Sequence, residues 1–346
     1  MLMARQHLSA RLHRRRPARF RAVSIVIALA MAVVSVAACS SSPVAAPRNV
    51  ATITPRSAHT APSTATTSRR GTATPSPAAT TTPEQPGWTV VSRLPSGIAV
   101  DSHRSRRSNG DLVTVLRFHT GLVHYALHAG SIDPPADDAD LPASARPAIG
   151  AREHVLLLAA FNGGFKMTGY GCVPCGVGGM EVDGRVLVPL VRGMASLVLY
   201  RNGSAAMGVW GHGFPRAGAA IYSVRQTLPP LVSGGRPSRD VGNVGDWGAT
   251  LGGGLLTARS AVGIDAHGNL LYAGSMSALP SDLADALVSA GAVTAMELDI
   301  NPEWVQADTA RSPGGRLRAA VPDQYRPADQ YLSGWTRDFV TVLAGP

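Results

Sequence analysis

Lysine is all but missing from this chain: Lys166 is the only one among 32 basic residues, and the rest are arginine. Cysteine is scarce too, with three in 346 residues. A four-thiolate zinc site would need a second closely spaced pair beside Cys172 and Cys175, and none exists. Acid is missing from the first 86 residues apart from Glu84. The sequence holds no phosphate-binding P-loop, no Gly-x-Gly-x-x-Gly turn, no Gly-x-Ser-x-Gly elbow and no His-Glu-x-x-His pair. These absences argue against P-loop nucleotide hydrolysis, dinucleotide-dependent redox chemistry, a serine nucleophile elbow and zincin proteolysis.

What charge there is divides sharply. The formal net charge is +10. Residues 1–86 carry eleven arginines and one acid; residues 87–346 carry 21 basic and 21 acidic residues and are neutral. The high pI therefore says nothing about the ligand of the C-terminal part, and nucleic acid is not an expected partner. Hydrophobic residues make up 45% of the chain, enough for a sizeable core.

The leader accounts for the charge. Residues 1–21 are basic, residues 22–38 are an uncharged apolar run, and Cys39 and three serines follow. Basic, apolar, then small is the order of a secretory signal. Val36-Ala37-Ala38-Cys39 resembles a bacterial lipobox, in which the cysteine is lipidated and becomes the new N-terminus. The cysteine stands where the apolar run ends, so residues 1–39 read as a signal with lipidation at Cys39. An uncleaved anchor and ordinary cleavage nearby are the alternatives. Each places the remainder outside the cytoplasm, held on the outer face of the cell membrane or secreted. Residues 40–87 are rich in Ser, Thr, Pro and Ala and contain no aromatic residue. Such a stretch cannot bury enough surface to offset its ordering entropy, and it reads as a disordered tether. The folded domain is expected over residues 88–346.

Within it, residues 89–91, 112–118 and 122–127 read as strands, the last two joined as a hairpin at His119-Thr120-Gly121. Residues 131–147 form an acidic, proline-rich loop (Asp133, Asp137, Asp138, Asp140) whose spacing fits no EF-hand and which reads as solvated. Residues 154–161 are a continuous apolar run, a buried strand that leads into Asn162-Gly163-Gly164-Phe165-Lys166. Two glycines after such a strand allow a sharp turn and close approach of a ligand. Cys172 and Cys175 lie in a glycine-rich loop; in an oxidising compartment a local disulfide is preferred over free thiols. Asp183-Gly184 and Asn202-Gly203 suit hairpin turns. Residues 219–224 and 231–236 add strands, the second carrying Gly234 and Gly235. Residues 241–254 read as a loop over the site, with Trp247 packed locally, and residues 339–343 close the domain as a strand.

The richest stretch is 257–301. Two apolar runs flank His267-Gly268-Asn269, a turn-forming tripeptide. Ser281 can cap a helix whose apolar positions Leu283, Ala284, Leu287 and Val288 recur at helical spacing, and Gly291 can end it. Residues 293–298 are then a strand carrying Glu297 and Asp299 two apart, so both side chains share one face. Two carboxylates at a strand end, with Asn301 beyond, need a cation, a ligand or a metal such as calcium or magnesium to balance them.

These residues together resemble the phosphodiester glycosidase family, whose domain also occurs in bacterial exopolysaccharide-associated proteins. Residues 161–165, Phe-Asn-Gly-Gly-Phe, look like its "NGGFF" turn. Residues 231–235 look like its strand ending in glycine, and residues 259–264, Arg-Ser-Ala-Val-Gly-Ile, look like its "RTAIG" stretch. Residues 281–299 resemble its helix followed by a strand that ends in aspartate. Where the family continues Asp-Gly-Gly-Gly-Ser-Ser, this chain has Asp299-Ile300-Asn301-Pro302-Glu303-Trp304, so contacts made by that loop do not carry over.

The resemblance implies a single α/β domain of mixed α+β type, largely antiparallel, with few helices. It implies hydrolysis of the bond between a sugar's anomeric carbon and a phosphodiester, on envelope glycans. The catalytic candidates are Asp299, Glu297 and Arg259, a guanidinium fork suited to phosphate. Asn162, Gly163, Gly164, Lys166, Gly234, Gly235, Ser260 and Asn301 are the substrate-binding candidates. A metal, if one is used, would sit on Asp299 and Glu297. The competing expectation is a membrane-tethered, non-catalytic protein that binds glycan or serves exopolysaccharide and envelope assembly on the same fold.

Overall fold

The computed structural model describes residues 86–107, 110–134, 141–142, 145–167 and 177–345. The signal, Cys39, nearly all of the tether, the Cys172 and Cys175 pair, and Asp137, Asp138 and Asp140 lie outside the described residues.

Strands dominate. In chain order they are β1 (Thr89–Leu94), β2 (Gly97–Arg106), β3 (Leu112–Phe118), β4 (Val123–His128), β5 (Leu157–Asn162), β6 (Met180–Val182), β7 (Arg185–Val188), β8 (Ala195–Tyr200) and β9 (Ala205–Val209). They continue with β10 (Ile221–Gln226), β11 (Val232–Ser233), β12 (Arg236–Pro237), β13 (Thr257–Asp265), β14 (Leu270–Ala278), β15 (Ala292–Ile300), β16 (Ala307–Thr309), β17 (Arg318–Ala319) and β18 (Phe339–Ala344). Among the described residues three α-helices accompany them: α1 (Ala151–His154), α2 (Pro280–Ser289) and α3 (Gln330–Ser333). The expected class, a mixed α and β domain with largely antiparallel sheet and few helices, is what these elements form.

An eight-stranded sheet runs β1-β2-β3-β14-β13-β15-β11-β12. Two five-stranded sheets run β7-β6-β10-β8-β9 and β17-β16-β5-β18-β4. Inner faces of all three meet in one apolar cluster that includes Phe118, Leu127, Phe161, Leu197, Met296 and Val340. Each such side chain contributes about 1.5–3 kcal/mol of burial. The other face of the large sheet is covered by α2, through Leu283, Ala284 and Leu287. On α2 the helical spacing is as expected, but Ser281 is not the cap. Leu279 holds that position, and its N–H donates to the Asp282 carboxylate (2.6 Å).

Asp183 (φ 47°) and Gly184 (φ 77°) form the tight turn between β6 and β7, and Asn202-Gly203 turns β8 into β9. The hairpin expected at His119-Thr120-Gly121 does not form. β3 pairs with β2 and β14 in the large sheet, whereas β4 pairs with β18 in another. The tripeptide carries the chain from one sheet to the next, and β3 finds its hairpin partner in β2, whose Asp-Ser-His-Arg-Ser-Arg half is too polar to stand out as a strand.

Candidate functional site

Three strand ends converge. The Asp299 N–H, near the end of β15, donates to the Gly163 carbonyl just past β5 (3.0 Å). The Gly163 N–H donates in turn to the Asp338 carbonyl just before β18 (2.9 Å). The glycine turn is needed here because a side chain has no room. A Cβ on Gly164 would lie 2.6 Å from the Arg225 guanidinium carbon, and one on Gly163 would overlap the Asp338 carboxylate.

Around this junction sits a buried charge cluster. Arg259 on β13 and Glu297 on the adjacent β15 are wholly buried, and Arg259 Nη1 donates to Glu297 Oε1 (2.7 Å) and to the Trp247 carbonyl (2.8 Å). Arg225 from β10 donates through Nε to Asp338 (2.7 Å) and through Nη2 to the Phe165 carbonyl (2.5 Å). Arg337 lies 2.7 Å from Asp299 Oδ2 and 3.4 Å from Asp133 Oδ2. Asp133, read from sequence as part of a solvated loop, is fully buried and accepts the Met167 N–H (3.0 Å).

Burial pushes the Glu297 carboxyl up to about 8, against the pull of Arg259. Burial likewise pushes Asp299 up to about 7, with Arg337 opposing it. Five polar atoms of this cluster are buried with no hydrogen-bond partner among the described residues: Arg259 Nε and Nη2, Arg337 Nε, Glu297 Oε2 and Asp299 Oδ2. The last touches Arg337 as an ionic contact without the alignment of a hydrogen bond. Buried polar groups are nearly always paired, so this concentration is unusual.

The sequence candidates fall into three groups. Arg259, Glu297, Asp299, Gly163 and Gly164 are in the cluster. Asn162, Ser260 and Asn301 support it with their side chains. Asn162 donates to Ser260 Oγ (2.9 Å) and accepts from the Tyr272 hydroxyl (3.1 Å), and the Ser260 hydroxyl donates to the Asp299 carbonyl (2.9 Å). Asn301 (φ 76°) takes the left-handed conformation that favours glycine. Its side chain holds the loop above, accepting the Leu251 N–H (2.9 Å) and donating to the Ala249 carbonyl (3.2 Å). Lys166 is exposed, two residues past the turn. Gly234 and Gly235 are not brought to the cluster. They turn β11 into β12 beside Thr294, at the far end of β15, roughly 17 Å from Asp299 at about 3.3 Å per residue. Trp247 packs locally as expected, buried with its Nε1–H on the Asp240 carbonyl (3.0 Å).

Four cluster members escaped the sequence reading: Asp133, Arg225, Arg337 and Asp338. An arginine inside a strand, and an Arg-Asp pair at the head of another, are the available signals. Calcium or magnesium fits poorly, since Asp299 and Glu297 already face Arg337 and Arg259. Among the described residues no group of three His, Cys, Asp or Glu is arranged to hold a metal. Among them, too, no helix is long and apolar enough to cross a membrane.

No protein-family model and no curated protein matches the chain. Among solved structures it is similar to the catalytic domain of zebrafish N-acetylglucosamine-1-phosphodiester alpha-N-acetylglucosaminidase, auto-inhibited by its pro-peptide, at 15% identity and a TM-score of 0.45, covering 75% of this chain and 87% of that one. A Synechocystis protein is 12% identical with a TM-score of 0.41, over 72% of this chain and 63% of that one. A Burkholderia pseudomallei protein described as exported is 14% identical with a TM-score of 0.40, over 67% of this chain and 74% of that one.

Proposed function

We propose that the domain hydrolyses glycosyl phosphodiesters outside the cytoplasm, on envelope glycans, tethered through Cys39. The five buried polar atoms without a hydrogen bond on Arg259, Arg337, Glu297 and Asp299, two of them held only by ionic contacts, carry this reading. Donors of two arginines beside acceptors of two carboxylates match a ligand that is an anion at one end and rich in hydroxyls at the other. The phosphodiester oxygens accept from Arg259 and Arg337. Asp299, titrating near neutrality, takes the proton of a water as that water's oxygen bonds to the anomeric carbon. The bond from that carbon to the phosphate oxygen breaks, its electron pair leaves with the phosphate, and a free sugar and a phosphomonoester result. Burial raises the titration of Glu297, whose Oε1 accepts from Arg259 and positions it. Arg259 lies beneath the Trp247 carbonyl and is fully buried, so the loop held by Asn301 has to shift for substrate to enter.

The test is release of free sugar from a panel of sugar-1-phosphodiesters, with and without calcium. Turnover that Asp299→Asn lowers by orders of magnitude, with binding retained, supports the proposal. A folded wild-type protein that binds glycan and turns over nothing refutes it. That outcome would favour the second reading, a glycan-binding protein, for which Asn301 is the supporting observation: it gives its side chain to the loop.

A further inference from the structure

Away from the cluster, a cavity of about 940 Å³ opens between the outer face of β4 and β18, the start of α1 and the β8–β9 turn. Its volume lies in the upper part of the usual range for ligand sites, about 300–1,000 Å³. Leu343 in its wall is five residues along from Asp338, so the cavity and the charge cluster lie toward opposite ends of β18, roughly 17 Å apart.

The lining is built. Tyr200 and Tyr222 present half-buried rings, and Arg201 lies over the Tyr222 ring (5.5 Å) while pairing with Asp183 (3.1 Å). Glu153 is held from behind: its Oε1 meets His128 Nε2 (2.8 Å) and accepts from the Thr341 hydroxyl (2.5 Å). Its second oxygen has no hydrogen bond among those described. Arg152 stands beside it on the wall. His128 and Thr341 are themselves buried, so the carboxylate is fixed rather than draped on the surface. The turn that carries Tyr200 is pinned too, because a Cβ on Gly203 would stand 3.1 Å from that of His124.

We propose that this cavity is a carbohydrate-binding site, distinct from the Asp299 cluster. Sugar rings offer apolar C–H faces to aromatic rings and hydroxyls at their edges. A fixed carboxylate accepts such hydroxyls, and two arginines donate to ring and hydroxyl oxygens. A purely apolar ligand would bury Glu153 and the arginines without partners, at a cost that disfavours it. A polyanion meets Glu153 together with the arginines, one of which Asp183 already pairs, and gains little. The site takes a short neutral oligosaccharide and would hold a glycan chain whose other part reaches elsewhere on the protein.

The full chain is titrated by calorimetry with soluble neutral di- to tetrasaccharides of glucose, galactose, mannose and arabinose, and with uronic-acid oligomers. Binding of a neutral member is expected. Tyr222→Ala and Glu153→Gln should each weaken it by about tenfold, the effect of removing one central contact. Tyr222→Phe keeps the ring and should restore binding, which separates contact from fold. Asp299→Asn should leave this binding unchanged, whatever it does to hydrolysis. The proposal is overturned if no sugar binds at millimolar concentration, if only uronic-acid oligomers bind, or if Asp299→Asn abolishes binding that Tyr222→Ala leaves intact.

Discussion

At the scale of single residues the proposed hydrolysis turns on carboxyls whose titration burial raises. With Asp299 near 7, the hydrolysis rate is expected to rise with pH through that value as the base form appears. A pH–rate profile checks this; a flat profile from pH 5 to 9 would remove Asp299 from the proton transfer. Arg225 and Asp338 are the opposite kind of pair, wholly buried and joined by two contacts (2.7 and 3.2 Å). Deleting one partner leaves a buried charge alone, so Asp338→Ala is expected to destabilise the domain by roughly 3–5 kcal/mol, measured by urea unfolding. The shared face of Glu297 and Asp299 was legible in sequence because side chains alternate along a strand. Arg225, Arg337 and Asp133 were not, because they reach the site from distant strands and loops, and no local period reports such a meeting.

At the scale of elements, turns were read well and pairings less so. Asp183-Gly184 and Asn202-Gly203 require backbone conformations that only a few residues adopt, so their chemistry announces them. His119-Thr120-Gly121 shows the limit: the same kind of tripeptide serves a turn within a sheet or a crossing between sheets, and only the partners decide. Asn301 joins both lessons, taking a glycine-like conformation and fastening the 249–251 segment at once. Asn301→Gly keeps the backbone and loses the fastening. Its expected effect is faster proteolysis between residues 249 and 256, with the unfolding midpoint little changed. Equal cleavage rates in the two proteins would show that the side chain does not hold the loop. Gly164→Ala is expected to be far more damaging, since its methyl would meet Arg225 and Thr227 at 2.6 Å. Loss of soluble expression or a much lower urea midpoint checks it.

For the whole molecule, Glu297, Asp299 and Asp308 titrate at about 8, 7 and 7, all raised by burial. Between about pH 4 and pH 8 the folded chain therefore binds more protons than the unfolded chain, and stability falls as pH rises. These contributions are fully present below about pH 4 and are lost through pH 7 to 8. Scanning calorimetry is expected to show a higher midpoint near pH 5.5 than near pH 8.5, and Asp299→Asn should flatten that slope. The overall class was legible because alternation, hairpin turns and few helical periods all pointed one way. The division into three sheets was not, since it depends on which distant strands pair. The place of β18 between β4 and β5 bears on how the chain folds. Those two strands lie on either side of residues 339–344 and are joined in this sheet only through them. Without β18 the facing edges of β4 and β5 would carry unsatisfied backbone groups, a point of aggregation risk for a partly folded chain. Arg225 and the glycine turn meet Asp338 at the head of β18, so closing the sheet and assembling the charge cluster draw on the same segment.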